Sequence, residues 1–372
     1  DFSFRKLFAK SNRFCMSVIF FITKYMKNNY NSQVISLQSL STDHDIFYPL
    51  SKTKFTCIAN DLEEDSLSYE WKVTRGVLTV SENSAVWEAP NSTGTDTLTV
   101  IVCDVENSVS KEVVINVVDP ENNLVFVPSG SFNRGQIDVA TPVHKVNIIR
   151  EFLINKYEVT QKEWADVMGY PAGTTAGVGD NKPAYSVNWY GVLSYCNRIS
   201  HAEGFEPCYT INNISDPDIW DADSTFADNA WDLVVCDFNK KGYRLPTTSE
   251  WEYAARYNDG RTYPWGDVEP TYTRAVWCTS STKDVGSKSP SGDSQLGLSD
   301  MCGNVFEMCW DWRDSYTEEE LTDPIGPVTG EYRTMKGGGW VSIVGPEKSA
   351  HNGVGYKDGF GNAGGFRVVK TR

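Results

Sequence analysis

From residue 124 onwards, helix signals are sparse in this 372-residue chain. Thr160-Gln-Lys-Glu163 and Thr247-Thr-Ser-Glu250 each match a capping box, the pattern in which a Thr and a Glu three residues later begin a helix. Between them, apolar residues recur at helical spacing over 189–199. The remainder is rich in Gly, Trp and Asn. We therefore predict an α+β domain dominated by loops, which needs disulfides or bound ions for additional stability.

The preceding segment, 43–119, has a different pattern. Short runs rich in β-branched residues are separated by turn residues, and they lie at 55–59, 67–73, 77–80, 98–105 and 113–118. This spacing predicts an all-β sandwich. Cys57, Trp71 and Cys103 follow one another in the order in which an immunoglobulin-like domain packs a core Trp against an inter-sheet disulfide. We expect a Cys57–Cys103 disulfide, with two buried free thiols as the alternative.

Two further segments complete the predicted organisation. The polar run beginning at Asp119-Pro120 indicates a boundary between the two domains. Residues 1–42 are predicted as a leader or linker, in which basic residues precede the apolar run Phe14–Ile22 in the order found in export signals. An ordinary leader is the alternative. That run is too short to span a bilayer, and no other stretch is long and apolar enough, so we expect no integral membrane span.

Charge and cysteine content restrict the partners and the compartment. The chain has 34 Lys and Arg against 49 Asp and Glu, a net charge of −15. Because such a surface repels phosphate backbones, we expect no nucleic-acid partner. The nine cysteines are scattered rather than arranged in CxxC pairs, which disfavours a zinc ribbon. An oxidising compartment accounts for them better, so we predict a cell-envelope or secreted protein.

Residues 124–372 carry seven motifs that identify a family. They are "FVPSGSFNRG" (126–135), "INKYEVTQKEW" (154–164), "GYRLPTTSEWEYAAR" (242–256), "YPWGD" (263–267), "GLSDMCGNVFEMCWDW" (297–312), "RTMKGGGW" (333–340) and "GGFRVV" (364–369). In this order they resemble the sulfatase-modifying-factor family. The resemblance implies the formylglycine-generating-enzyme fold, a variant of the C-type lectin fold. The segment 43–119 resembles the Ig-like or polycystic-kidney-disease-like spacers of bacterial surface proteins.

The resemblance breaks at the family's catalytic centre. Enzymes of the family oxidise a sulfatase cysteine to formylglycine with O2 and a copper ion held by two thiolates. The corresponding positions carry Ser342 and Glu347, and the motif serine is replaced by Gly339. Neither Ser nor Glu supplies the soft sulfur that selects Cu(I), so copper is disfavoured. The four histidines, at 44, 144, 201 and 351, are too dispersed for the iron site of other members.

A calcium site of the family is retained in the sequence. The family's ligand loop maps onto the Asp300 side chain, the Gly303 and Val305 carbonyls, and the Glu307 carboxylate. Carbonyl and carboxylate oxygens are the ligands that Ca²⁺ takes in proteins. The resemblance therefore implies calcium, and the alternative is that these acids make only hydrogen bonds or ion pairs. The family's second calcium site is lost at Ala275-Val276-Trp277.

The segment after Trp340 crosses the face on which the family's enzymes hold their peptide substrate. Its Gly, Asn, Ser, Tyr and His residues are typical of recognition loops, and the contact candidates are Trp340, Ser342, Glu347, His351, Asn352 and Tyr356. We predict a non-catalytic surface or secreted protein that recognises a protein or carbohydrate. The alternatives are an oxidase with a non-standard metal site and a structural subunit of a cell-envelope apparatus.

Overall fold

The computed structural model describes residues 35–62, 65–121, 123–173, 175–220, 231–343, 347–355 and 363–372. Their chain divides into two compact units, one formed by 35–47 with 52–117 and the other by 48–51 with 118–372. The apolar run Phe14–Ile22 of the predicted leader and the contact candidate Tyr356 lie outside the described residues. Among the residues described, no helix is long and apolar enough to cross a membrane.

The first unit is built from seven strands in two antiparallel sheets. The strands are β1 (Ile35–Thr42), β2 (Lys52–Asp61), β3 (Ser68–Val73), β4 (Val77–Ser81), β5 (Ser84–Glu88), β6 (Gly94–Cys103) and β7 (Ser108–Val117). One sheet has the order β1-β2-β5-β4 and the other the order β3-β6-β7. Both contribute to one hydrophobic core, which includes Phe55 and Trp87 from the first sheet and Trp71 and Val100 from the second. The predicted β arrangement is thus present.

Two strands were missed in the sequence. Ile35–Thr42, which we predicted as part of the linker, forms β1 and pairs along β2. Its sequence is polar and rich in Ser, as linker sequences are, because Ile35 is the only residue of this strand that is buried. The second missed strand is β5, whose Trp87 is fully buried and donates its indole N–H to the Arg75 carbonyl at 2.9 Å.

The predicted Cys57–Cys103 disulfide is wrong in this structure, where both residues are free thiols. Cys57 is fully buried in the core. Along β6 the core-facing residues alternate with half-buried ones, and Cys103 falls on the half-buried side. Because successive side chains of a strand point to opposite faces, Cys103 faces away from the core that contains Cys57. The order of Cys57, Trp71 and Cys103 in the sequence matches that of a disulfide-bonded sandwich. The strand register, however, places Cys103 on the face opposite to the one that a disulfide with Cys57 requires.

The second unit is a loop-rich α+β domain, as the motifs predicted. Its main sheet strands are β8 (Leu124–Val127), β9 (Gly130–Gln136), β10 (Ala140–Ile148), β11 (Phe152–Asn155), β12 (Tyr209–Thr210), β13 (Val235–Cys236), β14 (Tyr243–Arg244), β15 (Phe306–Trp312), β16 (Leu321–Thr322), β17 (Arg333–Lys336), β18 (Gly353–Gly355), β19 (Gly364–Gly365) and β20 (Val369–Thr371). They form sheets of the order β16-β10-β9, β14-β20-β11-β8, β12-β13 and β18-β17-β15-β19.

The three predicted helices are confirmed as α1 (Gln161–Met168), α2 (Trp189–Ala202) and α3 (Thr248–Arg256), and a short 3-10 helix covers Trp231–Leu233. Both capping boxes form, with Thr160 and Thr247 as the N-cap residues. The N-cap of α2 is Asn188, whose side chain accepts from the Gly191 N–H at 2.7 Å. Helix α3 is buried along its whole length and packs on β15 and β17, which frame the candidate sites.

Candidate functional site

The loop before β15 carries the predicted calcium ligands. Asp300 has a left-handed backbone, with φ of 57°, and is almost fully buried. Its Oδ2 accepts a hydrogen bond from the Gly286 N–H at 2.5 Å. Burial raises the pKa of the Asp300 carboxyl to about 6, in spite of that bond. Burial thus outweighs the opposing effects of that bond and of the nearby Arg367 guanidinium.

Glu307, at the second position of β15, is engaged by two partners. The Arg367 guanidinium donates to both of its carboxylate oxygens at 2.6 Å, and the Trp251 indole N–H donates to Oε2 at 2.7 Å. Arg367 also donates to the carbonyls of Asn155, Lys156 and Ser299. Arg367, Glu307, Trp251 and Ser299 are buried, and Asn155 and Lys156 are half-buried, so Arg367 connects four segments of the domain through charge-assisted hydrogen bonds.

Glu158 is a third buried carboxylate of this loop region, and sequence reasoning missed it. Its Oε2 accepts from the Asn304 side-chain amide at 2.6 Å, and its Oε1 accepts from the Val305 N–H at 3.1 Å. Burial, together with repulsion from Asp300 and Glu307, raises its pKa well above the ordinary value. Glu158 belongs to a quoted motif, but nothing in a single sequence indicates that one particular Glu is buried.

The three buried carboxylates of Glu158, Asp300 and Glu307 thus share one nearby cation, the Arg367 guanidinium. The predicted ligand set contains only two acidic side chains, at Asp300 and Glu307, and two backbone carbonyls. In the described part of the chain, no group of three or more His, Cys, Asp and Glu side chains is arranged to hold a metal ion. The arrangement offers carboxylate oxygens and an excess of negative charge, which are the chemistry of a calcium site. Both oxygens of Glu307 accept from Arg367, so Glu307 could bind a cation only if that ion pair opened.

Ser342 and Glu347, at the positions of the family's copper thiolates, make contacts of other kinds. The Ser342 hydroxyl accepts from the Gly339 N–H at 3.3 Å. The Glu347 carboxylate lies 3.3 Å from His351 Nδ1, and its carbonyl accepts from the Cys302 thiol at 3.1 Å. Burial lowers the pKa of His351, and the adjacent Glu347 carboxylate opposes this effect. Neither position holds a thiolate.

Trp340 packs against a small hydrophobic cluster formed by Ala176, Tyr185 and Val305. Its carbonyl accepts from the Thr279 N–H at 3.0 Å, and its indole nitrogen is buried without a hydrogen-bond partner. Trp340 and Ser342 are thus tied to the neighbouring 278–279 segment, and they do not line the cleft described next.

A polar cleft of about 500 Å3 opens beside the other two predicted contact residues, His351 and Asn352. We call it the outer cleft, and its remaining lining is Val139, Ala140, Thr141, Arg313, Asp314, Ser315 and Tyr316. Asn352 is fixed from two sides. Its side-chain amide donates to the Tyr316 hydroxyl at 2.7 Å, and its oxygen accepts from Lys336 Nζ at 3.1 Å. The cleft therefore has a preorganised polar floor.

Beneath this floor lies a buried charged cluster. Lys336 is almost fully buried on β17 and donates to Glu252 at 3.0 Å. Glu252 also accepts from Arg256 at 2.8 Å and from the Gly135 N–H at 2.8 Å. Burial opposes its ionisation, but the cations Lys336 and Arg256 lower the pKa of Glu252 overall. This pairing keeps the charges compensated and fixes Lys336 under Asn352.

Of the six predicted contact residues, the structure thus brings Glu347, His351 and Asn352 together and keeps Trp340 and Ser342 apart from the outer cleft. Sequence reasoning missed Arg313 and Tyr316, which line that cleft. They lie just beyond the "WDW" end of a quoted motif, so proximity to the motif was the available signal. Their meeting with residues 351–352 depends on the tertiary fold.

Comparisons with known proteins identify the family of this chain. The family model described as the sulfatase-modifying factor enzyme 1-like domain matches residues 110–372. The protein named chaperone protein LppX from Paenibacillus barcinonensis is 34% identical over 275 residues, which cover 68% of this chain and 90% of the relative. A formylglycine-generating enzyme from Streptomyces coelicolor is 39% identical over 130 residues, 30% of this chain and 40% of that enzyme.

Among solved structures, Treponema denticola variable protein 1 aligns with a TM-score of 0.61 and 29% identity. The alignment covers 67% of this chain and 95% of that protein. The similarity extends over the α+β unit that contains both the 300–307 loop and the outer cleft. From the extent of the family match, the chain belongs to the sulfatase-modifying factor enzyme 1-like family.

Proposed function

We propose that this chain is a non-catalytic binding protein, which recognises a protein or carbohydrate ligand through the face around residues 347–352. One observation carries the proposal. The two positions that hold copper thiolates in the family's enzymes carry a serine hydroxyl bound to Gly339 and a carboxylate beside His351. Without soft sulfur ligands, the domain has no means of holding Cu(I) at that place. What is left there is a polar recognition surface.

The outer cleft supports a binding role. Its floor residue Asn352 is held by Tyr316 and Lys336, so the amide is fixed before a ligand arrives. Preorganised polar groups lower the entropic cost of binding. Among the relatives, LppX is named a chaperone protein and the Streptomyces coelicolor protein a formylglycine-generating enzyme. A chaperone-like role is therefore the second candidate, and it too requires a protein-binding surface.

We also propose that Ca²⁺ binds at Asp300, Gly303, Val305 and Glu307. The observation in favour is electrostatic, because burial holds the pKa of Asp300 at about 6 and that of Glu158 well above its usual range. A divalent cation would compensate the carboxylates that Arg367 alone leaves uncompensated. In this role Ca²⁺ orders the loop and takes no part in a reaction.

The first unit is proposed to be an Ig-like spacer, and the protein to act in the cell envelope or outside the cell. The sheet orders β1-β2-β5-β4 and β3-β6-β7 correspond to the ABED and CFG sheets of constant-type immunoglobulin domains. Such a unit would present the binding domain away from its point of attachment. A structural role in an envelope apparatus would use the same arrangement.

The decisive experiment measures Cu(I) binding and peptide oxidation together. Purified protein is incubated with Cu(I), O2 and a sulfatase-type cysteine peptide, and mass spectrometry follows the conversion of cysteine to formylglycine. We expect no conversion by the wild-type chain. Conversion would overturn the proposal, because other residues would then have to hold the metal.

A gain-of-function variant provides the matched control. The double substitution S342C/E347C restores both sulfur positions and should acquire Cu(I) affinity in competition with a chromogenic chelator. The single substitutions S342C and E347C should acquire much less, because two thiolates are needed. Equal Cu(I) affinity of the wild type and the double variant would contradict our interpretation of these two positions.

A further inference from the structure

A second cavity of about 370 Å3, which we call the inner cavity, adjoins the outer cleft. Tyr316 and Asn352 line both cavities. We propose that the inner cavity is a binding site for a neutral sugar unit. This proposal rests on the proposed function, because it names a ligand class for the binding domain. Most of the residues that it involves lie outside the 347–352 face.

The wall of the inner cavity contains an unusual pair. Arg134 on β9 and His144 on β10 are directly opposite each other in the strand register. Their exposed fractions are only 8% and 5%. Arg134 Nε and His144 Nε2 are both buried and have no hydrogen-bond partner. Unpaired buried polar atoms are costly, so two of them in one cavity wall point to a missing partner.

The hydrogen-bonding types of the two nitrogens identify what that partner must offer. Arg134 Nε carries a hydrogen and can only donate. His144 Nδ1 lies 3.1 Å from the Pro142 carbonyl, an acceptor, and in the neutral tautomer that donates to this carbonyl Nε2 is an acceptor. A hydroxyl group both donates and accepts. Neighbouring hydroxyls of one ligand can therefore satisfy both nitrogens, which an anion or a cation cannot do.

The charges around the cavity exclude an anionic ligand. The single cation Arg134 faces Asp311, which is buried, and also Asp314 and Glu319. The acids outnumber the cation, so a phosphate or carboxylate ligand would be repelled. The remaining wall includes the apolar side chains of Leu321, Pro324 and Ile325. A neutral sugar presents hydroxyls to the polar wall and C–H groups to the apolar wall, and the volume lies within the range of small-molecule sites.

Tyr316 packs against this pair. The Arg134 guanidinium carbon lies 4.4 Å from the centre of the Tyr316 ring, and the His144 ring packs edge-on against it with centroids 4.9 Å apart. The Tyr316 hydroxyl accepts hydrogen bonds from the Asn352 amide and from the Arg134 guanidinium. The exposed residues Thr317 and Glu319 also line the inner cavity, so a ligand can enter it directly from solvent.

The test uses the complete chain and a panel of methyl glycosides of glucose, galactose, mannose and N-acetylglucosamine. Ligand-observed NMR identifies a binder, and isothermal titration gives its Kd. The variant H144L removes the acceptor nitrogen, and we expect affinity for the bound sugar to fall about tenfold or more. The matched control is H201Q, because His201 is an exposed histidine on α2 outside the cavity. Its affinity should equal that of the wild type.

A second readout separates binding from folding. The imidazole nitrogen resonances of His144 should shift on addition of the sugar, whereas those of His201 should not. The proposal is overturned if no sugar of the panel binds, if H144L and H201Q bind equally well, or if a crystal grown with the sugar shows only ordered water in the cavity. The copper assay above is independent of each result.

Discussion

At the scale of single residues, the 300–307 loop is governed by an imbalance of buried charge. Arg367 compensates Glu307 through two hydrogen bonds, whereas Asp300 and Glu158 accept from amide donors and interact with Arg367 through its charge alone. Protons can supply the missing positive charge at low pH, and Ca²⁺ can supply it at neutral pH. The stability of this unit should therefore depend on both.

The substitution D300N tests this dependence on pH. Without calcium, the folded state binds a proton at Asp300 up to about pH 6, whereas the unfolded value is 3.8. The folded state thus binds more protons between these values, so the free energy of unfolding should fall as pH rises from about 4 to about 6. We expect a decrease of up to about 3 kcal/mol that D300N removes. Urea denaturation across this range measures it.

The matched control is E318Q, which neutralises an exposed acid of the same unit. It should retain the wild-type pH profile. Added Ca²⁺ should raise the free energy of unfolding of the wild type above pH 6, and D300N should reduce this effect. If the free energy of unfolding of the wild type did not change between pH 4 and 6, the raised pKa of Asp300 would be contradicted.

Which residues form these sites could be predicted only in part. The motif placed Asp300 and Glu307 in one loop, because short loops carry their ligands in local sequence order. It could not reveal Glu158, which is separated from Asn304 by 146 positions. The outer cleft was predicted through His351 and Asn352, but Arg313 and Tyr316 reach it by tertiary contact. A cavity is a property of the packed chain rather than of any local pattern.

At the scale of elements, helix starts were the most predictable feature, because a capping box lies within four consecutive residues. The two boxes differ in their surroundings. In α3, Glu250 accepts from the N-cap Thr247 N–H and also pairs through both oxygens with the buried Arg244 at 2.7 Å. In α1, Thr160 and Glu163 are on the surface.

This difference predicts unequal effects of the same substitution. T247A should destabilise the unit by about 2 kcal/mol, because it leaves the Glu250 N–H buried and without its partner. T160A should cost about 1 kcal/mol or less, since water replaces the lost acceptor. Chemical denaturation of both variants measures the two values. Equal losses would indicate that burial of the cap contributes nothing.

Strand register was less predictable, and Cys103 illustrates why. One residue of shift moves a side chain to the other face of a sheet, and the sequence of β6 does not state where its alternation begins. Because Cys103 is half-buried, we expect it to react with iodoacetamide in the native, unreduced protein. The exposed Cys278 should react as well. Cys57 should react only after unfolding. Peptide mapping by mass spectrometry checks this, and a Cys57–Cys103 linked peptide would contradict it.

At the scale of the whole molecule, each of the two units has its own hydrophobic core. Phe55, Trp87 and Val100 belong to the core of the first unit, and Trp164, Trp189 and Phe366 to a core of the second. Family membership was predictable because the motifs of the second unit are dense. The boundaries of the first unit were not, because the polar strand β1 has the composition of a linker.

Separate cores predict separate unfolding. Guanidinium denaturation should show two transitions, because chains with more than one core depart from two-state behaviour. Calcium at about 100 times its Kd should stabilise the second unit by about 2.7 kcal/mol and leave the other transition unchanged. Circular dichroism at two wavelengths, with EDTA as the reference, follows both. A single transition would contradict the separate unfolding of the two units, and a calcium shift of both transitions would contradict the assignment of the ion to residues 300–307.

The position of Arg367 in the chain has a consequence for biosynthesis. This residue and strands β19 and β20 supply partners to β11, β14 and β15 and to three carbonyls far earlier in the sequence. During translation, the first unit can close its sheets as soon as residue 117 has left the ribosome. The second must wait until residues 364–371 have emerged, and meanwhile Glu307 lacks its ion-pair partner Arg367. The nascent second unit is thus exposed to misfolding for most of its synthesis, and it is where a folding assistant would act.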